Sequence, residues 1–273
     1  MLEQLKYKNH MNEVFEFGKD GIYVDTSELH DYEWRVTKKN NRISVLDYTV
    51  SKRKLPVTII CESEEAGIRA RNKLFEIVEK DVLAMQYGKI IIGDYYFKCF
   101  VTKAQKKDYL VSKRYMTLEL TLTTDMPYWV RETPYVFGHG AGSLNEYLDY
   151  PFDMPFDYRS ALSMDTVNNT GIVGTNFRLI IYGTAINPAI YIGGHEYSVN
   201  CEVNEGEYLV VDSTSKEVYL VGQTGIKTNK FNDRNRDSYI FEKIPSGVNT
   251  VSWDGEFGFD IILYEERSEP KWT

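Results

Sequence analysis

"YMTLELTLTT", residues 115–124, alternates without a break. Met116, Leu118, Leu120 and Leu122 fall on one side, and threonines with Glu119 fall on the other. A period of two sends successive side chains to opposite faces of a pleated strand. The stretch therefore predicts an antiparallel strand with one face packed and one wet. Just upstream, "KIIIGDYYFKCFVT" (89–102) places Gly93-Asp94 between two apolar runs, which predicts a hairpin. Between the two lies "KAQKKDYLVSKR" (103–114), basic and polar, read as a turn or a projecting hairpin tip.

Further toward the N-terminus the pattern changes once. "GIYVD" (21–25), "YEWRVT" (32–37), "ISVLDYTV" (43–50) and "LPVTIIC" (55–61) are rich in β-branched and aromatic residues and read as strands. In "SEEAGIRARNKLFEIVEKDVLA" (63–84), by contrast, Ala66, Ala70, Leu74 and Val78 recur every four residues with Ile77 beside them. That spacing predicts one amphipathic helix packed on a sheet. Ser63 is the expected N-cap, and Glu64 and Glu65 suit the positive end of the helix.

Toward the C-terminus the strands are short and evenly spaced, from "FRLIIYG" (177–183) to "FGFDIILYEE" (257–266), with no helical segment among them. This spacing predicts a β-sandwich or jelly roll. In "VSWDGEFGF" a three-residue loop, Trp253 to Gly255, would pair Val251 with Phe257 and keep the apolar sides matched. The predicted fold is thus mainly β: an N-terminal sandwich-like domain with one helix, then a second β-sandwich.

The charge is uneven. Residues 1–145 hold 22 basic and 20 acidic side chains, whereas residues 146–273 hold 10 and 20. The break falls beside "YLDYPFDMPFDYRS" (147–160), in which Pro151-Phe152-Asp153 and Pro155-Phe156-Asp157 repeat four residues apart. Proline fixes its own φ and extends its predecessor. The expected organisation is a domain over 1–145, a stiff linker over 146–160 carrying Pro151, Phe152, Pro155 and Phe156, and a second domain over 161–273. The rival reading makes Asp153 and Asp157 an acid/base pair, as in glycosidases. The segment has no periodicity to hold two carboxylates at a set separation, so the connector reading is preferred.

An acidic second half argues against nucleic-acid binding, which needs basic faces, and for the same reason disfavours anionic cell-wall polymers as ligands of that half. Cys61, Cys99 and Cys201 show neither zinc spacing nor a disulfide framework. The first residues lack an apolar signal core, and no apolar run approaches a membrane span, so a cytoplasmic, membrane-free protein is expected. His10, His30, His139 and His195 lack partner motifs, and no phosphate loop, nucleophile elbow or zinc-protease motif is present. No catalytic residue, cofactor or metal is predicted. The patches Lys52-Arg53-Lys54 and Lys103 to Arg114 read as solvated strand ends or as surfaces that meet an acidic neighbour. Tyr182, Tyr191 and Trp253 are candidates for a glycan-facing surface, and Trp34, Tyr128 and Trp129 for a subunit interface.

The combination and order of several phrases resemble the distal tail proteins of long-tailed, non-contractile bacteriophages and prophages. They are "FGKDGIYVDTSELHDYEW" (17–34), the proline-spaced run, "VNCEVNEGEYLVVDS" (199–213), "RDSYIFEKIP" (236–245) and "FGFDIILYEERSEPKW" (257–272). The resemblance implies a β-sandwich with a helix that closes into a six-copy ring, and a galectin-like sandwich that points outward. It also implies a baseplate hub without enzymatic activity, docked between a tail tube protein and a tail-tip protein and in some phages holding receptor-binding proteins. The ring would sit in the virion tail, assembled in the host cytoplasm, with an acidic or neutral lumen. The alternative is a carbohydrate-binding module that recognises a host surface glycan through its second domain.

Overall fold

The computed structural model describes residues 5–19, 21–25, 27–107, 112–138 and 163–271. The chain forms two compact units: residues 1–131 with 266–273, and residues 132–265. The first passage between them comes inside a strand at 131/132, and the last residues return to the first unit. The expected linker over 146–160 lies outside the described residues, and this division sets a passage before it. Composition shifts there, but a continuous strand carries the backbone from one unit to the other fourteen residues earlier. Pro151, Phe152, Asp153, Pro155, Phe156 and Asp157 lie outside the described residues, as does His139.

The first unit contains β1 (Leu5–Lys8), β2 (Val14–Glu16), β3 (Ile22–Val24), β4 (Arg35–Lys39), β5 (Arg42–Asp47), β6 (Ser51–Ile60), α1 (Glu64–Ala84), β7 (Gly88–Ile92), β8 (Tyr95–Lys106), β9 (Tyr115–Thr124) and the start of β10 (Trp129–Phe137). β8 is long and bulged between Val101 and Lys103. Its first half pairs β7 and β10, and its second half pairs β9. One strand thus serves two sheets, β2-β1-β7-β8-β10 and β3-β6-β9-β8. A bulge bends its strand, which allows this change of sheet.

Met116, Leu118, Leu120 and Leu122 are all buried, as the alternation of β9 requires. Gly93-Asp94 makes the two-residue turn of β7–β8, with Ile92 opposite Tyr95. Ser63 caps α1 by accepting from the Ala66 N–H. The helix buries Gly67, Ala70, Leu74, Ile77, Val78 and Asp81, placing Gly67 rather than Ala66 at the start of the packed stripe. Gly67 is required there, because a Cβ would lie 2.2 Å from the Lys113 carbonyl.

The second unit contains β11 (Ser163–Asn169), β12 (Asn176–Tyr182), β13 (Ala185–Ile186), β14 (Ala189–Ile192), β15 (His195–Ser198), β16 (Glu202–Val203), β17 (Tyr208–Asp212), β18 (Glu217–Val221), β19 (Lys227–Asn229), a 3-10 turn (Phe231–Asp233), β20 (Gly247–Trp253) and β21 (Phe259–Arg267). The sheets β19-β18-β17-β12-β21 and β11-β20-β14-β15 face each other across one core, built on Phe177, Tyr197, Leu209, Ile190, Val251 and Phe259. The fold is mainly β, with large antiparallel sheets and one long helix among the described residues.

The expected β20–β21 hairpin is not formed. Val251 pairs Asp165 and Ile192, whereas Phe259 pairs Ile181. The segment is an arch from one sheet to the other. Trp253, Phe257 and Phe259 are all buried, so both ends of the arch turn toward the same core. The Trp253 indole N–H closes the arch by donating to the Phe257 carbonyl at 3.1 Å. Gly255 does take the left-handed conformation, with φ +79°. No helix among the described residues is long and apolar enough to cross a membrane.

Candidate assembly surfaces

The three aromatics expected at a subunit interface separate. Trp34 is 40% exposed, and its ring lies 4.3 Å from that of Tyr48. Tyr48 lies 5.6 Å from Tyr128, so the three rings form a ladder at the foot of the β4–β5 hairpin. Tyr128 is half-buried, and its phenol is pushed up by burial and by the charges of Glu266 and Asp125, which keeps the hydroxyl neutral. Trp129 is different: it is fully buried, 5.4 Å from Phe97 and stacked on His30 at 6.3 Å. One step along a strand reverses the facing. Trp129 is therefore a core residue and leaves the interface set. Tyr48 joins it, a residue that alternation alone would not single out.

The hairpin above the ladder is the more telling feature. Among the described residues β4 and β5 pair only with each other, and all eleven of their residues are exposed. Asn40 and Asn41 turn the chain with φ of +50° and +58°, the left-handed geometry that two-residue hairpins need. The register sets Val36 opposite Leu46 and, past a bulge, Lys38 opposite Ile43. One face thus carries Val36, Leu46 and Ile43, with Ile43 63% exposed. Val45 is exposed on the other face. A two-stranded ribbon is marginal in water unless something covers its apolar face. The ribbon is also basic, with Arg35, Lys38, Lys39 and Arg42 against Asp47.

The two basic patches differ: 103–114 ends β8 and makes the connection of the β8–β9 hairpin, whereas the triplet 52–54 departs from expectation. Residues 108–111 lie outside the described set, but Ser112 and Lys113 are held against α1, their carbonyls accepting from Arg71 at 3.1 and 2.8 Å. In the triplet 52–54, Arg53 is buried rather than solvated. Its guanidinium lies 4.4 Å from the Phe97 ring centre and donates to the Leu29 and Pro127 carbonyls. Burial lowers its pKa to about 10, which leaves it charged near neutrality.

A second polar cluster fastens the β1–β2 hairpin to the helix. Asp81 is fully buried. It accepts from the Tyr7 hydroxyl at 2.5 Å and the His10 backbone N–H at 2.9 Å, with His10 Nδ1 at 2.6 Å. Buried carboxylates persist when each oxygen is partnered, as here. Nearby, Glu13 is held below the usual carboxylate range by hydrogen bonds from Lys80 and then Asn9. The arrangement is a structural latch. Among the described residues, no three His, Cys, Asp or Glu side chains gather as a metal set.

The glycan-facing trio also comes apart. Trp253 is fully buried between Phe137 and Phe259, in the centre of the sandwich. Tyr182 points outward from β12 and Tyr191 outward from β14, on opposite sheets. The three cannot line one groove, and Trp253 is a core residue. Tyr182 donates to Asp260 at 2.6 Å, and burial with this bond pushes its pKa up to about 12.

No family model matches the chain, and no curated protein is similar to it at a significant level. Solved structures do match. The Dit protein of phage SPP1, described as a paradigm of hub adsorption apparatus in phages infecting Gram-positive bacteria, superposes with a TM-score of 0.59 at 11% identity. The match covers 97% of this chain and 99% of that one. A chain of the phage P2 baseplate in its activated conformation with Ca gives 0.66 at 12% identity, covering 99% and 100%. The same baseplate with Sr gives 0.65 at 12%, with equal coverage. The resemblance drawn from the sequence phrases thus holds at the level of fold, over nearly the whole chain: this is the fold of a phage baseplate hub protein.

Proposed function

We propose that this chain is a structural, non-enzymatic hub of a phage tail tip. Six copies close into a ring that joins a tail tube protein to tail-tip and receptor-binding proteins. The observation that supports it most is end-to-end agreement of fold with a hub protein, with no large segment left over in either chain.

A ring of identical subunits needs a heterologous interface that closes by rotation. The β4–β5 ribbon, with Trp34, Tyr48 and Tyr128 at its foot, supports this reading because it offers apolar and aromatic side chains that the described residues of its own chain leave uncovered. Its basic residues would select an acidic neighbour. In this reading the hub binds no specific nucleic acid and holds no cofactor.

Light scattering and electron microscopy of the pure protein, alone and with the tube protein, test the proposal. A six-fold annulus is expected. A chain that stays monomeric in both conditions would overturn it.

A further inference from the structure

The second half of the chain is acidic, yet five of its ten basic residues fall between 216 and 236: Lys216, Lys227, Lys230, Arg234 and Arg236. The fold gathers four of them along two adjoining grooves, of about 280 and 550 Å³, that share Lys216 and Phe231. The turn after β17, the strands β18 and β19, the 3-10 turn and the segment 234–241 form the walls.

Each cation but one is braced by an aromatic ring. Lys216 Nζ lies 5.3 Å from the Phe241 ring centre and 5.6 Å from that of Tyr239. Lys227 Nζ lies 4.7 Å from that of Tyr219, and the Arg234 guanidinium 3.9 Å from that of Phe231. Among the described residues, Lys230 pairs with Asp233, while no carboxylate forms an ion pair with Lys216, Lys227, Arg234 or Arg236. The carboxylates on the groove walls are Glu217, which accepts from Ser215, and Asp237. A ring face fixes a cation without neutralising it, so the positive charges stay available to a ligand.

Lys216 adds an independent sign. Its φ is +60°, in a turn where glycine or asparagine would be the unstrained choice. A lysine kept at a conformational cost marks a position where its charge matters.

We infer that this groove binds an anionic saccharide chain. The charges call for an anion. The apolar lining favours sugar over an acidic peptide, because its exposed part is the ring surface of Tyr219, Phe231 and Tyr239, while Phe241 is buried. Val218, the one aliphatic side chain on the walls, is 2% exposed, and Tyr239 is 56% exposed. Peptide partners anchor side chains in apolar pockets, and the walls offer none. Sugars present flat faces to rings and place carboxylate or phosphate groups at the rim. The inference stands whether or not copies of the chain close into a ring.

Calorimetry on the full-length protein tests it with four probes of similar length: an oligogalacturonate, an oligo(glycerol phosphate) carrying sugar, a neutral galactose oligomer and oligoglutamate. One or both acidic saccharides should bind, and which one identifies the anion. The neutral sugar should bind at least about ten-fold more weakly, the worth of one charge-assisted contact.

Lys216→Asn should lower affinity by about ten-fold while leaving the thermal midpoint unchanged or raising it, since asparagine tolerates the left-handed turn. A purely structural lysine would instead lose stability and keep binding. Lys227→Gln with Arg236→Gln should abolish binding in a protein that melts normally, as both side chains are exposed. The inference is overturned if the neutral sugar or oligoglutamate binds as well as the acidic saccharides, if no saccharide binds, or if the variants bind like the original chain.

Discussion

Two hairpins of the first unit share a local code and meet opposite fates. Both β4–β5 and β7–β8 turn on two residues, Asn40-Asn41 and Gly93-Asp94, and both put isoleucine and valine or tyrosine on their strands. In β7–β8, Ile90 is fully buried and Ile92 nearly so. In β4–β5, Ile43, Val45 and Leu46 are at least half exposed. The difference lies in what flanks them. β7 has β1 on one side and β8 on the other, and the helix and second sheet complete the core; β4 and β5 have only each other. Strand propensity is thus a statement about a surface still to be covered. In β4–β5 the described residues do not supply the cover, and in the proposed ring a second copy would.

This comparison can be broken in several ways. The largest effect belongs to the cores. Trp253→Ala should cost about 3–5 kcal/mol in urea unfolding, the usual range for a buried tryptophan. A small loss would mean that Trp253 faces solvent and that the glycan-facing reading should return. Ile90→Ala should cost about 2–5 kcal/mol. The matching change at the free hairpin, Ile43→Ala, should stay within about 0.5 kcal/mol for the isolated chain. Equal losses at the two positions would show that β4–β5 is packed on its own chain.

A smaller effect sharpens the contrast between latched and free hairpins. Tyr7→Phe removes one partner of the buried Asp81 carboxylate and should cost about 1–3 kcal/mol. Hydrogen exchange of the β1–β2 amides should quicken in this variant, while the β4–β5 amides should not change.

The smallest concerns pH. Glu13 titrates below the usual carboxylate range, so its contribution is fully present above that range and disappears as pH falls through the lowered value. Glu13→Gln should remove a slight acid-side dependence of the melting temperature. Because the pair with Lys80 is exposed, high salt should mask the effect.

The sequence made some of this legible and hid the rest for identifiable reasons. Periods of two and 3.6 gave β9, the β7–β8 turn and the capped helix, because burial on one side writes itself into spacing. Facing could not be read for Trp129 and Trp253. Each lies at a strand end, Trp129 beside Tyr128 and Val130 where either face looks acceptable, and Trp253 beside a turn that a loop reading absorbs. The β20–β21 arch reads as a hairpin in sequence because two strands joined by a short glycine turn look alike whether they share a sheet or oppose each other across a core. The first passage between units is hard to read, since it lies inside a strand whose one proline, Pro134, falls past the crossing rather than at it. The ladder of Trp34, Tyr48 and Tyr128 joins residues up to ninety-four positions apart, a separation only the fold can close.

A photo-cross-linking residue placed at Ile43 offers the most direct test of the claim that the β4–β5 ribbon seats on a neighbouring copy. Irradiation of the assembled protein should yield a covalent dimer ladder ending at six chains, with the far end of each link in the first unit of the adjacent copy. An annulus that forms normally while position 43 links to nothing, or only within its own chain, would contradict the account.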